Sequence, residues 1–160
     1  MKLYIRDEQG GYYPATTKDI IKEGRNCAST QLRRGKEIVS SSAEAKEAIA
    51  SKFQSQEREV FGCLFLDSRN RVLSWIELFF GTINSTTVHP REVVKEALRL
   101  NTASVIFAHN HPSGDTTPSP QDIDLTNKLQ EILKVIDVRV LDHIVVGDTT
   151  VSFSDMGLMK

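Results

Sequence analysis

The run 104–136 constrains the fold more than any other part of the chain, because it joins a buried strand to an amphipathic helix through a polar turn. Residues 104–108, SVIFA, are apolar and partly β-branched, which is typical of a buried strand. Residues 120–136 carry apolar side chains at helical spacing, and these are Ile123, Leu129, Ile132, Leu133 and Ile136. A strand followed closely by such a helix predicts an α/β fold.

The remaining strand and helix patterns predict one α/β domain with a mixed sheet flanked by helices. A length of 160 residues suits one domain with a proper core. The first predicted helix begins after Ser41 or Ser42, either of which can cap it. Helices are predicted over 43–53, 90–101 and 120–136, and strands over 60–67, 71–81, 104–108, 138–147 and 150–153.

Residues 1–36 differ from the rest and are predicted to form a partly basic N-terminal extension, with the folded domain over 37–160. A short hairpin over 2–16 is predicted to turn at Gly10-Gly11. The segment has eight basic and four acidic side chains, an excess that could contact phosphates but is more often solvated surface. The whole chain has a formal charge of −1, which favours neither nucleic acid nor an anionic membrane.

Cellular location is indicated by what the sequence lacks. Residues 1–11 contain no apolar core of a signal peptide, and the apolar runs are far shorter than the ~20 residues of a membrane helix. Cys27 and Cys63 are too few for a disulfide framework, and Cys63 lies in an apolar run that predicts a buried thiol. We therefore expect a soluble, cytoplasmic protein.

Three metal-binding side chains cluster around the turn after strand 104–108. If the strand continues, His109 and His111 share one face, and Asn110 points away. Asp122 is the third residue of a helix that Ser119 caps, so its carboxylate can return to the histidines. Two imidazoles and one carboxylate are the usual ligand count of a catalytic zinc, whereas structural zinc prefers four ligands. Each fragment also has an ordinary explanation, as a surface or core histidine pair and as a capping box.

A hydrolytic zinc site also needs a general base, usually a glutamate close to the metal. Glu59, at the start of the strand over 60–67, is the best candidate, and Glu57 is its rival because both share a face. Either could instead be a solvated charge. His89 is expected at a helix entry. His143 is expected in a strand, either as a core residue or as a support for the metal ligands, and we assign neither histidine a catalytic role.

The combined pattern of Glu, His-x-His and Ser-x-x-Asp, with the Glu in an E-x-x-G context, resembles the JAMM (JAB/MPN+) metallohydrolases. The phrases GTINSTTVHPREVVKEAL, HNHPSGD, TPSPQDI and LDHIVVGD resemble the RadC branch of that group, and the resemblance covers residues 37–160. It implies a JAB/MPN-like, cytidine-deaminase-like fold with a mixed sheet flanked by helices. It also implies that one zinc ion is bound by His109, His111 and Asp122, that Glu59 is the general base, and that Ser119 steadies the oxyanion.

Two functions of different classes follow from the sequence. The first is a zinc-dependent hydrolase of amide or isopeptide bonds, acting on a peptide or protein substrate. The alternative is a DNA-repair-associated accessory module that binds nucleic acid or protein and has a structural or vestigial metal site. Full-length RadC proteins usually carry a helix–hairpin–helix region ahead of this domain, and residues 1–36 are too short for one. The loops over 82–89 and 113–118 are expected to border the cleft.

Overall fold

A computed structural model of the protein describes residues 4–6, 11–22, 24, 38–53, 56–81 and 88–159. Tyr4–Arg6 (β1) pairs antiparallel with Tyr12–Pro14 (β2), as the predicted hairpin requires, and its turn at 7–10 lies outside the described residues. The domain boundary at residue 36 stays a prediction. The other elements are α1 (Ser42–Phe53), β3 (Val60–Leu66), β4 (Val72–Phe80), α2 (Pro90–Leu100), β5 (Ser104–Asn110), α3 (Pro120–Lys134), β6 (Arg139–Val146) and β7 (Thr150–Ser152).

Strands β3 to β7 form a five-stranded sheet in the order β4-β3-β5-β6-β7. The β5–β6 pair is parallel and the other pairs are antiparallel, so the predicted mixed α/β sheet is confirmed. The parallel pair needs a crossover connection, and helix α3 supplies it. The carboxyl ends of β5 and β6 therefore meet at one edge of the sheet, beside the start of β3.

Helices cover both faces of the sheet. Side chains of α1, including Ile49 and Phe53, pack on one face with Val60 and Ile106. Helices α2 and α3 cover the other face, where the buried residues are Phe61, Cys63, Phe65, Val93, Ala97, Leu100, Val105, Phe107, Leu129, Leu133 and Val138. Successive strand residues alternate between these two cores. His109 follows Phe107 by two positions and thus belongs to the α2/α3 face.

Local capping interactions explain where several elements begin and end. The Ser41 hydroxyl accepts a hydrogen bond from the Glu44 N–H at 3.2 Å, so Ser41 rather than Ser42 caps α1. Asn101 ends α2 in the left-handed conformation, with φ of 52°. Gly62, the glycine of E-x-x-G, lies against Trp75, and a Cβ at that position would come within 2.5 Å of the indole ring. No helix among the described residues is long and apolar enough to cross a membrane.

Candidate metal centre

Strand β5 is longer than predicted and brings the two histidines of His-x-His together. It continues through Asn110 because His109 pairs with both Phe61 on β3 and Val145 on β6. The extended backbone puts His109 and His111 on the same face, with their Nε2 atoms 2.9 Å apart. His109 is only 1% exposed, whereas His111 lies half-buried at the edge of the sheet.

The first turn of α3 brings Asp122 to the histidines. The chain turns at Gly114, which has a φ of 85°, and α3 then begins after Ser119. Ser119 and Asp122 form a capping box, in which the Asp122 carboxylate accepts the Ser119 N–H at 2.8 Å and the Ser119 hydroxyl at 2.6 Å. The same carboxylate has one oxygen 3.4 Å from His109 Nε2 and the other 3.7 Å from His111 Nε2.

The charges of this cluster favour a bound cation. Burial alone would raise the pKa of Asp122, but its interactions with His109 and His111 outweigh burial and hold the pKa far below its usual range. The hydrogen bond with Asp122 raises the pKa of His111, although partial burial opposes it, and the Glu59 charge adds to the rise. The Asp122 carboxylate therefore stays ionised, and its negative charge favours a cation near Nε2 of the two histidines.

Nδ1 of His111, the ring nitrogen that faces away from the cluster, is hydrogen-bonded to a backbone carbonyl. Its Nδ1 lies 2.6 Å from the carbonyl oxygen of Asp115. A carbonyl can only accept, so Nδ1 carries the proton, and the Nε2 lone pair of the neutral ring faces the cluster. Asp115 itself is exposed, and its carboxylate accepts the Thr117 N–H at 2.9 Å.

Nδ1 of His109, the ring nitrogen that faces away from the cluster, is hydrogen-bonded to a side chain from a distant strand, which a helix residue supports in turn. Its Nδ1 lies 2.8 Å from Nε2 of His143 on β6, and Nδ1 of His143 lies 2.6 Å from the hydroxyl of Thr126 on α3. His143 is fully buried, and burial lowers its pKa well below the ordinary 6.5. Both roles that the sequence left open for His143 agree with these contacts, since it is a buried, hydrogen-bonded core residue and it contacts a cluster histidine.

Glu59 directly precedes β3 and lies two residues before Phe61, which pairs with His109. It is half-buried and its charge acts on His111, whereas Glu57 is exposed. Of the two candidates for the general base, these observations favour Glu59 over Glu57.

Asn110, between the two histidines, holds the backbone on both sides of Glu59. Its side-chain oxygen accepts the Val60 N–H at 2.8 Å, and its side-chain nitrogen donates to the Arg58 carbonyl at 3.0 Å. The sequence predicted only that Asn110 points away from the histidines. Its partners lie some fifty residues earlier in the chain, so no local pattern could identify this tether.

Two other reactive side chains that the sequence singled out, His89 and Cys63, lie apart from the cluster. His89 precedes the first residue of α2 and contacts Phe79 edge-on, with ring centroids 6.0 Å apart, as expected at a helix entry. Cys63 is buried in β3, where burial raises its pKa, and Cys27 lies outside the described residues.

The donor set fits a metal ion. His109, His111 and Asp122 each offer one ligand atom, and these atoms all lie within 4.8 Å of one another. Nδ1 of each histidine has a hydrogen-bond partner on the side away from the cluster, so both Nε2 atoms and the Asp122 carboxylate face one another. Metal-binding histidines commonly have their other ring nitrogen hydrogen-bonded in this way. Imidazole and carboxylate together suit zinc and similar divalent ions.

Comparison with known proteins agrees with this geometry. The family model for the RadC-like JAB domain matches residues 39–158, which include every residue of the cluster. The chain belongs to the RadC-like JAB domain family.

Its relatives include a UPF0758 protein of Thioalkalivibrio sulfidiphilus, 46% identical over 91% of this chain and 65% of that protein. A UPF0758 protein of Vibrio cholerae is 48% identical over 87% of this chain and 88% of that protein. One from Nitrosococcus oceani is 46% identical over 87% of this chain and 62% of that protein. This chain therefore spans less than two thirds of the length of some of the relatives it matches.

Proposed function

We propose that the protein is a zinc-dependent hydrolase of amide or isopeptide bonds, with a peptide or protein as its substrate. The observation that carries the proposal is the convergence of His109, His111 and Asp122 beside the carboxylate of Glu59. Membership of the RadC-like JAB domain family supports a JAMM-type hydrolase.

Zinc would be held by Nε2 of both histidines and by the Asp122 carboxylate. Three protein ligands are typical of catalytic zinc, because the fourth position stays open, whereas structural zinc is closed by four. Bound zinc supplies Lewis-acid chemistry: it polarises a carbonyl group and lowers the pKa of water to about 7.

Glu59 would move the proton in this reaction. Its carboxylate accepts a proton from the attacking water and returns it to the nitrogen of the leaving amine. The Asn110 tether holds the backbone on both sides of Glu59 and so limits where that carboxylate can reach.

Ser119 would stabilise the oxyanion of the tetrahedral intermediate. Its hydroxyl donates to Asp122 at 2.6 Å and accepts the Asp122 N–H at 3.1 Å. Rotation about the C–O bond can redirect the proton toward an oxyanion, while the oxygen continues to cap α3. A preorganised donor of this kind is worth about 10²–10³ in rate.

The test compares Glu59→Gln with Glu57→Gln, a matched control two residues earlier that is exposed. Each protein is purified without chelator, its zinc is measured, and cleavage of a peptide mixture and of lysine isopeptides is followed by mass spectrometry. We expect one zinc per chain in all three proteins. Cleavage should fall about 10²–10⁴-fold in Glu59→Gln, the usual share of a general base, and stay unchanged in Glu57→Gln.

Two results would contradict the proposal. One is wild-type protein that contains no zinc and takes none up. The other is zinc-loaded wild type that cleaves none of these substrates. Wild-type activity in Glu59→Gln would refute the role of Glu59 as the general base.

A further inference from the structure

We propose that His143 and Thr126 are positioning residues that hold His109 in the tautomer able to bind the metal. The inference rests on the proposed zinc site. It concerns a chain of hydrogen bonds that runs from α3 through β6 to β5, entirely on the buried side of the cluster. The proposal depends on the direction in which each of these bonds is donated.

The chain of bonds starts at Thr126, one helical turn after Asp122. The Thr126 hydroxyl donates to the backbone carbonyl of Asp122 at 2.6 Å. A hydroxyl has one proton to donate, and the carbonyl can only accept. The Thr126 oxygen is therefore left as an acceptor toward Nδ1 of His143, which lies 2.6 Å away.

The direction of that bond sets the next one. His143 must carry a proton on Nδ1 to donate to Thr126. A neutral imidazole has one N–H, so a His143 ring that donates from Nδ1 has a bare Nε2. This Nε2 can only accept, and the His109 Nδ1 at 2.8 Å must be the donor. His109 then has its lone pair on Nε2, the atom that faces His111 and Asp122.

The opposite direction would close the site to metal. If Nε2 of His143 carried the proton, it would donate to Nδ1 of His109, and the His109 proton would sit on Nε2. That tautomer blocks one of the three ligand atoms. The oxygen of Thr126 favours the productive direction because it gives the His143 Nδ1–H an acceptor in a region that excludes water. Asp122 thus serves the cluster twice, with its carboxylate as a ligand and with its carbonyl at the end of the hydrogen-bonded chain.

The experiment measures zinc affinity by competition with a chromophoric chelator. Thr126→Val removes the acceptor with little change of shape, and we expect zinc affinity to fall 10–100-fold, as is usual when a partner of a metal-binding histidine is lost. The control is Thr102→Val, which makes the same change at another buried threonine whose hydroxyl has no partner among the described residues. Its zinc affinity should match that of the wild type.

A rescue pair tests His143 itself. His143→Leu should lose zinc affinity by a similar factor, and His143→Gln should recover part of it, because the amide oxygen can accept from Nδ1 of His109. Histidine ¹⁵N NMR of the zinc-loaded wild type should place protons on Nδ1 of both His109 and His143. The NMR readout needs no variant, so a failure of His143→Leu to fold leaves the proposal testable.

Separate outcomes overturn the two proposals. Wild-type zinc affinity in Thr126→Val, or a proton on Nε2 of His143 in the zinc-loaded protein, refutes the positioning pair and leaves the hydrolase intact. Zinc binding that depends on Thr126, together with no cleavage of any tested substrate by the zinc-loaded wild type, refutes the hydrolase and leaves the positioning pair intact. A wild-type protein that binds no zinc refutes both.

Discussion

The two histidines of the cluster offer the same ligand atom, but the protein supports them in different ways. His109 is buried, and its outer nitrogen is held by His143 from β6, which Thr126 of α3 holds in turn. His111 is half-buried, and its outer nitrogen is held by a backbone carbonyl four residues later in its own loop. One ligand is therefore part of the core, and the other depends on a surface turn.

This difference divides the work of the site. In the proposed zinc site, His109 would set where the metal ion lies relative to the sheet, because three elements hold it. His111 would depend on its own loop, and loops are generally more mobile than the elements they connect. Both should still count equally as ligands, and differ only in what their loss does to the fold.

The largest expected effect tests whether His109 and His111 contribute equally to zinc binding. Zinc at a thousand times its Kd should stabilise the wild type by about 4 kcal/mol, and both His109→Leu and His111→Leu should lose most of that gain. Each variant removes one of three ligand atoms. Melting temperatures with zinc and with chelator provide the measurement. Full zinc protection in His111→Leu would show that His111 is not a ligand.

The next effect tests whether His109 contributes more than His111 to the stability of the metal-free protein. His109→Leu leaves Nε2 of buried His143 without its partner, so the free energy of unfolding should fall by about 1–3 kcal/mol. His111→Leu loses contacts at a half-exposed edge and should cost at most about 1 kcal/mol. Urea unfolding in the presence of chelator measures both. Equal losses would mean that the surface turn supports the fold as strongly as the buried chain of hydrogen bonds does.

The smallest effect is a pH dependence that only His111 should produce. Its raised pKa means that the folded metal-free protein binds this proton more tightly than the unfolded chain does. The resulting stability is fully present below the ordinary value of 6.5 and is lost as the pH rises through the raised value. The lowered pKa of His143 acts below 6.5, and ionised Asp122 contributes evenly throughout this window.

The measurement is unfolding by urea with chelator from pH 6.5 upward. Wild type should lose under about 1 kcal/mol, because a half-exposed ion pair is weak. His111→Gln serves as the control and should lose this part of the slope. A wild type that gains stability relative to His111→Gln over the same range would reverse the sign and refute the assignment.

Much of the fold was predictable because its signals are local. The capping box at Ser119 and Asp122, the proline at the start of α2 and the apolar runs in β3 and β5 each depend on residues close together in sequence. The same local signals placed His109, His111 and Asp122 side by side, since a strand followed by a capped helix fixes their relative positions.

The supports of the site were not predictable because they join residues far apart in the chain. Strand β5 runs two residues beyond its predicted end at 108, since pairing with β3 and β6 keeps it extended there. Asn110 reaches backbone groups near Glu59, and His143 meets His109 only through the parallel register of β5 and β6. The proposed tautomer of His109 likewise depends on Thr126, and threonine is not a residue type that indicates a metal site.

The capping box also has a consequence for how relatives of this protein are compared. Ser119 and Asp122 begin α3 whether or not any chemistry takes place, so selection for folding alone would keep them in a relative without the proposed activity. Glu59 and His111 begin no helix, and a lineage that lost the reaction should lose them first. An inactive relative should therefore be recognised by a missing glutamate beside an intact Ser-x-x-Asp.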